Sequence, residues 1–89
     1  MAYLDVGSLE MAALGSPNST GDIFVQLGLM YSTGRSVVAD RVAAHKWFNL
    51  AALKGNGEAA RLRREIAQEM SENDIAEAQR EARRWLSTH

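Results

Sequence analysis

The sequence predicts an all-α protein in which two antiparallel helical hairpins stack side by side, with a short N-terminal arm. Three observations lead to this prediction. Apolar residues recur at helical spacing over much of residues 22–87. Capping residues and glycines divide this stretch into four segments joined by short loops, which favour antiparallel neighbours. No alternating pattern typical of a strand follows residue 20.

The composition is that of one globular domain. The chain has 89 residues, of which 46% are apolar and 24% charged, and its net charge is −1. This charge gives no reason to expect nucleic acid or a membrane as a partner. The absence of cysteine excludes disulfides and thiolate metal sites. We expect a cytoplasmic protein, because residues 1–15 lack the basic start of a secretory signal.

Residues 1–20 are predicted to form an N-terminal arm and a linker. A weak helical pattern runs to residue 14, and the only proline, Pro17, lies in the glycine- and serine-rich stretch after it.

The first predicted helix covers residues 22–33. Thr20 or Asp22 can cap its start, and Gly34 suits the left-handed position after its end. Gly28, in mid-helix, costs about 1 kcal/mol relative to alanine, so we expect the second helix to approach closely there. The expected buried stripe consists of Ile23, Leu27, Met30 and Tyr31.

The second helix is predicted over residues 41–54, between the cap Asp40 and Gly55, after a loop in which Val37 and Val38 are the candidate apolar plugs. Its expected buried residues are Ala44, Trp47, Phe48, Ala51 and Ala52.

Two further helices are predicted over residues 58–69 and 72–87. Ser71 is the predicted cap of the last helix, and Arg61 and Glu65 form a predicted ion pair on the third. The residues that these two helices should bury are Ala59, Leu62, Ile66, Met70, Ile75, Ala78, Ala82, Trp85 and Leu86.

One set of residues, at fixed spacing, points to a known family. Its members are Leu27, Gly28, Met30, Tyr31, Gly34, Val37, Asp40, Ala44, Trp47, Ala51, Ala52 and Gly55. This pattern resembles the Sel-one-like repeat family, a relative of tetratricopeptide repeats. By this resemblance residues 21–55 form one full repeat, and residues 56–89 form a degenerate hairpin that caps it. The resemblance implies a fragment of an α/α superhelix that binds proteins or peptides, as adaptors do.

No residue pattern indicates an enzyme. The histidines are His45, expected to be exposed on the polar side of the second helix, and His89. Neither lies in a motif with metal-ligand spacing, and no serine lies in a nucleophile motif. We therefore expect no catalytic residues, no metal site and no cofactor. Trp47 and Trp85 lie on apolar stripes and are expected in the core rather than in a ligand pocket.

The candidate partner-binding residues lie on the first helix, which lines the concave surface in the family that the chain resembles. Val25 and Leu29 are apolar and stand one turn apart, beside the buried stripe. Gln26, Ser32 and Thr33 flank them. A protein or peptide partner, a second copy of the chain in a homodimer, or the N-terminal arm could cover this face.

Two alternative functions remain open. Residues 41–89 contain nine Lys and Arg and seven Asp and Glu, so the arginine-rich C-terminal helices could contact nucleic acid. The interleaved glutamates favour a solvated, salt-bridged surface instead. The chain could also be a non-catalytic subunit of an enzyme assembly.

Overall fold

The computed structural model describes residues 19–89 and contains four helices within that range. They are α1 (Thr20–Thr33), α2 (Arg41–Leu53), α3 (Ala59–Ala67) and α4 (Glu72–Thr88). No strand occurs in these residues, so the all-α prediction is confirmed. The predicted arm, apart from its last residues, lies outside the described range. None of the four helices combines the length and the apolar character that a membrane crossing requires.

Helix α1 begins two residues earlier than predicted, because Ser19 is its cap. The Ser19 hydroxyl accepts a hydrogen bond of 3.1 Å from the backbone N–H of Asp22. The prediction of Thr20 or Asp22 as the cap was wrong. Asp22 has another role: its carboxylate accepts a hydrogen bond of 2.7 Å from the side-chain amide of Asn56.

The other predicted helix ends agree closely with the structure. Asp40 accepts from the N–H of Ala43 and Ser71 accepts from that of Asp74, each at 3.1 Å. Gly34 has the predicted left-handed conformation, with φ 75°. Helix α3 is shorter than the predicted 58–69, and no side chain caps its start.

Helices α1 and α2 form an antiparallel hairpin. At one end the N–H of Asp40 donates to the carbonyl of Tyr31 at 2.9 Å. At the other end, a Cβ placed on Gly21 would lie 3.2 Å from the carbonyl oxygens of Ala51 and Lys54. The start of α1 therefore lies against the end of α2.

Gly28 permits the close approach of these two helices. A Cβ on this residue would overlap the Phe48 ring, whose Cζ would be 3.0 Å away. Phe48 is itself 2% exposed and has little room to move. The expected contact with α2 is therefore present, and it is made by the residue after Trp47.

Helix α2 is the central element, because α1, α3 and α4 all pack against it. These contacts are consistent with two stacked helical pairs. The buried hydrophobic residues come from all four helices: Ile23, Phe24, Leu27, Met30, Ala44, Trp47, Phe48, Leu50, Ala51, Ala59, Ile66, Ala78 and Ala82.

Two apolar residues expected in the interior are exposed. Val38 is 88% exposed and Leu86 is 42% exposed. Of the two candidate plugs in the loop, Val37 packs against the core and Val38 faces water. On α4 the stripe Ala78, Ala82 and Trp85 faces the core, which leaves Leu86 on the flank.

An aromatic cluster joins α1, α2 and α4. The ring centroid of Phe24 lies 5.0 Å from that of Trp47 and 5.3 Å from that of Trp85. The two tryptophan rings are 5.7 Å apart and meet edge to face. Trp47 is buried, as predicted, whereas Trp85 is half-buried.

Candidate interaction surface

The outward face of α1 contains all five residues predicted to bind a partner. Gln26, Leu29 and Thr33 are exposed, and Val25 and Ser32 are half-buried. The opposite side of the helix is buried against the rest of the protein. Phe24, Leu27 and Gly28 are among its buried residues. The packing of that side against α2 thus presents the five predicted residues together.

Within this face, Leu29 and Val25 differ in their surroundings. Leu29 is 41% exposed. Val25 packs against the hydrophobic core and contributes less free surface. The apolar part of the face is therefore centred on Leu29.

Two hydroxyl groups on this face bond to their own helix. The Ser32 hydroxyl donates to the Leu29 carbonyl at 3.1 Å, and the Thr33 hydroxyl donates to the same carbonyl at 2.7 Å. Each hydroxyl oxygen keeps lone pairs that can accept from a partner. The exposed amide of Gln26 can both donate and accept.

Beyond Asp22 in its first turn, the outward face of α1 is uncharged. From Ile23 to Gly34 the sequence contains no Asp, Glu, Lys or Arg. Helices α3 and α4 contrast with it, because charged residues make up much of their exposed surface. From residue 23 onward, the solvent-facing side of α1 is thus a neutral strip with one exposed leucine, Leu29, at its centre. The exposed Asp22 lies at the N-terminal end of this strip.

The arginines of α3 and α4 are mostly engaged by neighbouring side chains. Arg61 pairs with Glu58 and, as predicted, with Glu65 at 2.6 Å. Further pairs join Arg80 to Glu77 at 2.6 Å and Arg84 to Glu81 at 3.8 Å. Arg41 of α2 pairs with Glu69 at 3.2 Å. Arg63 donates to the Asn49 side chain at 2.6 Å.

His45 was expected to be exposed, and this prediction was wrong. It is 3% exposed, and its Nδ1 forms no hydrogen bond within the described part of the chain. Three helices pack on α2. They cover more of its surface from solvent than one partner helix would in an isolated hairpin. Burial and then the nearby charge of Arg63 lower the pKa of His45 below its usual 6.5.

Sequence reasoning missed a second surface feature, a cleft between α2 and α4. It is lined by Lys46, Glu81, Arg84, Trp85 and Thr88. The four α4 residues follow the spacing of one helix face, which the sequence does show. That Lys46 of α2 lies opposite them depends on helix packing, which the sequence does not show.

Within residues 19–89, no group of three histidine, aspartate or glutamate side chains is arranged to hold a metal ion. Comparisons of the chain with protein-family models, with curated proteins and with solved structures find no match. The resemblance to Sel-one-like repeats thus rests on the residue pattern of the sequence.

Proposed function

We propose that this chain is a small non-catalytic adaptor or scaffold that binds a protein or peptide through the outward face of α1. The proposal includes a Sel-one-like, tetratricopeptide-like repeat as the binding unit and the cytoplasm as its compartment. The residues that make contact are Val25, Gln26, Leu29, Ser32 and Thr33.

The neutral strip on α1, residues 23–33, supports this proposal most directly. The centres of protein interfaces are depleted in charged residues, and burial of a leucine side chain is favourable by about 1.5–3 kcal/mol when complete. Leu29 is already partly covered, so a partner gains only part of that energy from it. The surrounding polar groups of Gln26, Ser32 and Thr33 form a rim that can exchange hydrogen bonds with the partner.

Substitution of Leu29 tests the proposal. Leu29→Glu places a charge at the centre of the strip without disturbing the core, because the side chain is already 41% exposed. Val25 is left unchanged, since it packs against the core. We expect the variant to keep its helical circular dichroism spectrum and to lose partners that the unchanged protein retains in a quantitative pull-down. Binding of each such partner is then measured with purified proteins.

Leu86→Glu is a matched control, because Leu86 is 42% exposed on α4 and lies outside the α1 face. It should retain the partners that Leu29→Glu loses. The proposal fails if both variants lose the same partners or if Leu29→Glu loses none. Sedimentation of the unchanged protein and of Leu29→Glu shows whether a second copy of the chain is the partner.

A further inference from the structure

The cleft between α2 and α4 has a volume of about 230 Å³ and is open to solvent. Glu81, Arg84, Trp85 and Thr88 contribute from α4, and Lys46 contributes from α2. The cleft is smaller than the pockets of about 300–1,000 Å³ that hold drug-sized ligands. Its size suits a single side chain.

Two cations and one carboxylate line this cleft. The ammonium of Lys46 lies 4.6 Å from the centre of the Trp47 ring, and no carboxylate of residues 19–89 forms an ion pair with it. Arg84 has only a long contact of 3.8 Å with Glu81, whereas Arg80 pairs with Glu77 at 2.6 Å. Both cations in the cleft can therefore contact an added anion.

Trp85 supplies a firmly held apolar wall. Its ring meets those of Phe24 and Trp47 edge to face, and the imidazole of His89 stacks on it with ring centroids 4.2 Å apart. These contacts reduce the freedom of the indole, so a ligand need not order it. A ligand in this cleft would thus meet an apolar surface beside two positive charges.

We propose that this cleft binds an acidic side chain, aspartate or glutamate, of a peptide segment whose neighbouring residues are apolar. The carboxylate lies between Lys46 and Arg84, and the apolar neighbours contact Trp85. A continuous phosphate backbone fits less well, because Glu81 lines the cleft and Glu77 precedes it by one turn of α4. The cleft is separate from the α1 face, so this proposal does not depend on the proposed function.

The test uses two short peptides, one with a glutamate between leucines and one with glutamine in its place. The chain has two tryptophans, so nuclear magnetic resonance of the full protein gives two indole N–H signals, assigned with Trp85→Phe. We expect the glutamate peptide to shift the Trp85 indole and the Lys46 amide signals. The glutamine peptide should bind at least about tenfold more weakly, because it loses charge-assisted hydrogen bonds.

Lys46→Gln combined with Arg84→Gln should weaken binding of the glutamate peptide at least about tenfold. Lys54→Gln combined with Arg83→Gln is the matched control, since it removes the same charge outside the cleft and should bind normally. If the first double variant loses helicity, Arg84→Gln alone repeats the test, because the Arg84 side chain is 64% exposed. Leu29→Glu should bind the peptide normally, which separates this site from the α1 face.

Three results would overturn the proposal. The first is equal binding of the glutamate and glutamine peptides, or binding that shifts neither the Trp85 nor the Lys46 signal. The second is an equal loss of binding in the two double variants, which would indicate general charge attraction. The third is stronger competition by a short single-stranded oligonucleotide than by the unlabelled peptide, which would make this a nucleic-acid site.

Discussion

His45 is a buried histidine whose ionisation depends on whether the protein is folded. Its imidazole is 3% exposed, Nδ1 has no hydrogen-bond partner within residues 19–89, and the nearby charge is that of Arg63. A proton on His45 would add a second positive charge in a site that is closed to water. The folded protein therefore binds this proton less readily than the unfolded chain does.

We predict that the free energy of unfolding falls as the pH decreases below about 6.5. The folded-state pKa of His45 is lowered, so its unfolded state takes up the proton first. The contribution is complete above pH 6.5 and is lost toward the folded-state pKa, by at most about 1.4 kcal/mol per pH unit. Urea titrations at a series of pH values from about 7.5 to about 5.5, on either side of the usual histidine pKa, measure this dependence.

Two glutamine variants identify the histidine responsible. His45→Gln should remove most of this pH dependence, whereas His89→Gln, at an exposed position, should retain it. An unchanged pH dependence in His45→Gln would show that another group is responsible.

At the scale of elements, the contact between α1 and α2 depends on Gly28. We predict that Gly28→Ala lowers the free energy of unfolding by about 1–3 kcal/mol, because the added methyl overlaps the buried Phe48 ring. The gain of about 1 kcal/mol in helix propensity opposes this loss. We expect the overlap with Phe48 to outweigh the gain in helix propensity. Denaturant titration of the two proteins measures the net change in the free energy of unfolding.

Gly57→Ala is the control for this substitution. A Cβ on Gly57 has no neighbour within 4 Å, so the change should leave stability nearly unchanged. If Gly28→Ala proved more stable than the unchanged protein, Phe48 would have room to move and the close-packing explanation would be wrong.

At the scale of the whole molecule, α2 connects the other three helices. In long repeat arrays each repeat contacts only its neighbours, and separate parts can unfold separately. Here the cluster of Phe24, Trp47 and Trp85 joins α1, α2 and α4 across the two predicted repeat units. Loss of either unit would expose this cluster to water.

We therefore predict a single unfolding transition. Tryptophan fluorescence reports the cluster, and circular dichroism at helical wavelengths reports all four helices. Their denaturation curves should coincide, as expected for a small two-state domain. A helical transition at lower denaturant than the fluorescence transition would show that one pair of helices unfolds independently.

Most of the local structure of residues 19–89 follows from short-range sequence patterns. Asp40 and Ser71 cap the helices that follow them, and Gly34 adopts the left-handed conformation after α1. These features depend on a few neighbouring residues, so short-range patterns reveal them. The same holds for the outward face of α1, because residues spaced at 25, 29, 32 and 33 share one side of any helix.

Which helix surfaces are covered depends on how the helices pack together, and local patterns do not reveal this. The sequence divided α2 into a buried and an exposed side, but packing of α1, α3 and α4 around it buried His45 as well. The same packing placed Lys46 beside Arg84 and Trp85, residues more than thirty positions away in the chain. Helical periodicity shows which residues share a face, whereas the neighbour that covers a face depends on contacts between distant segments.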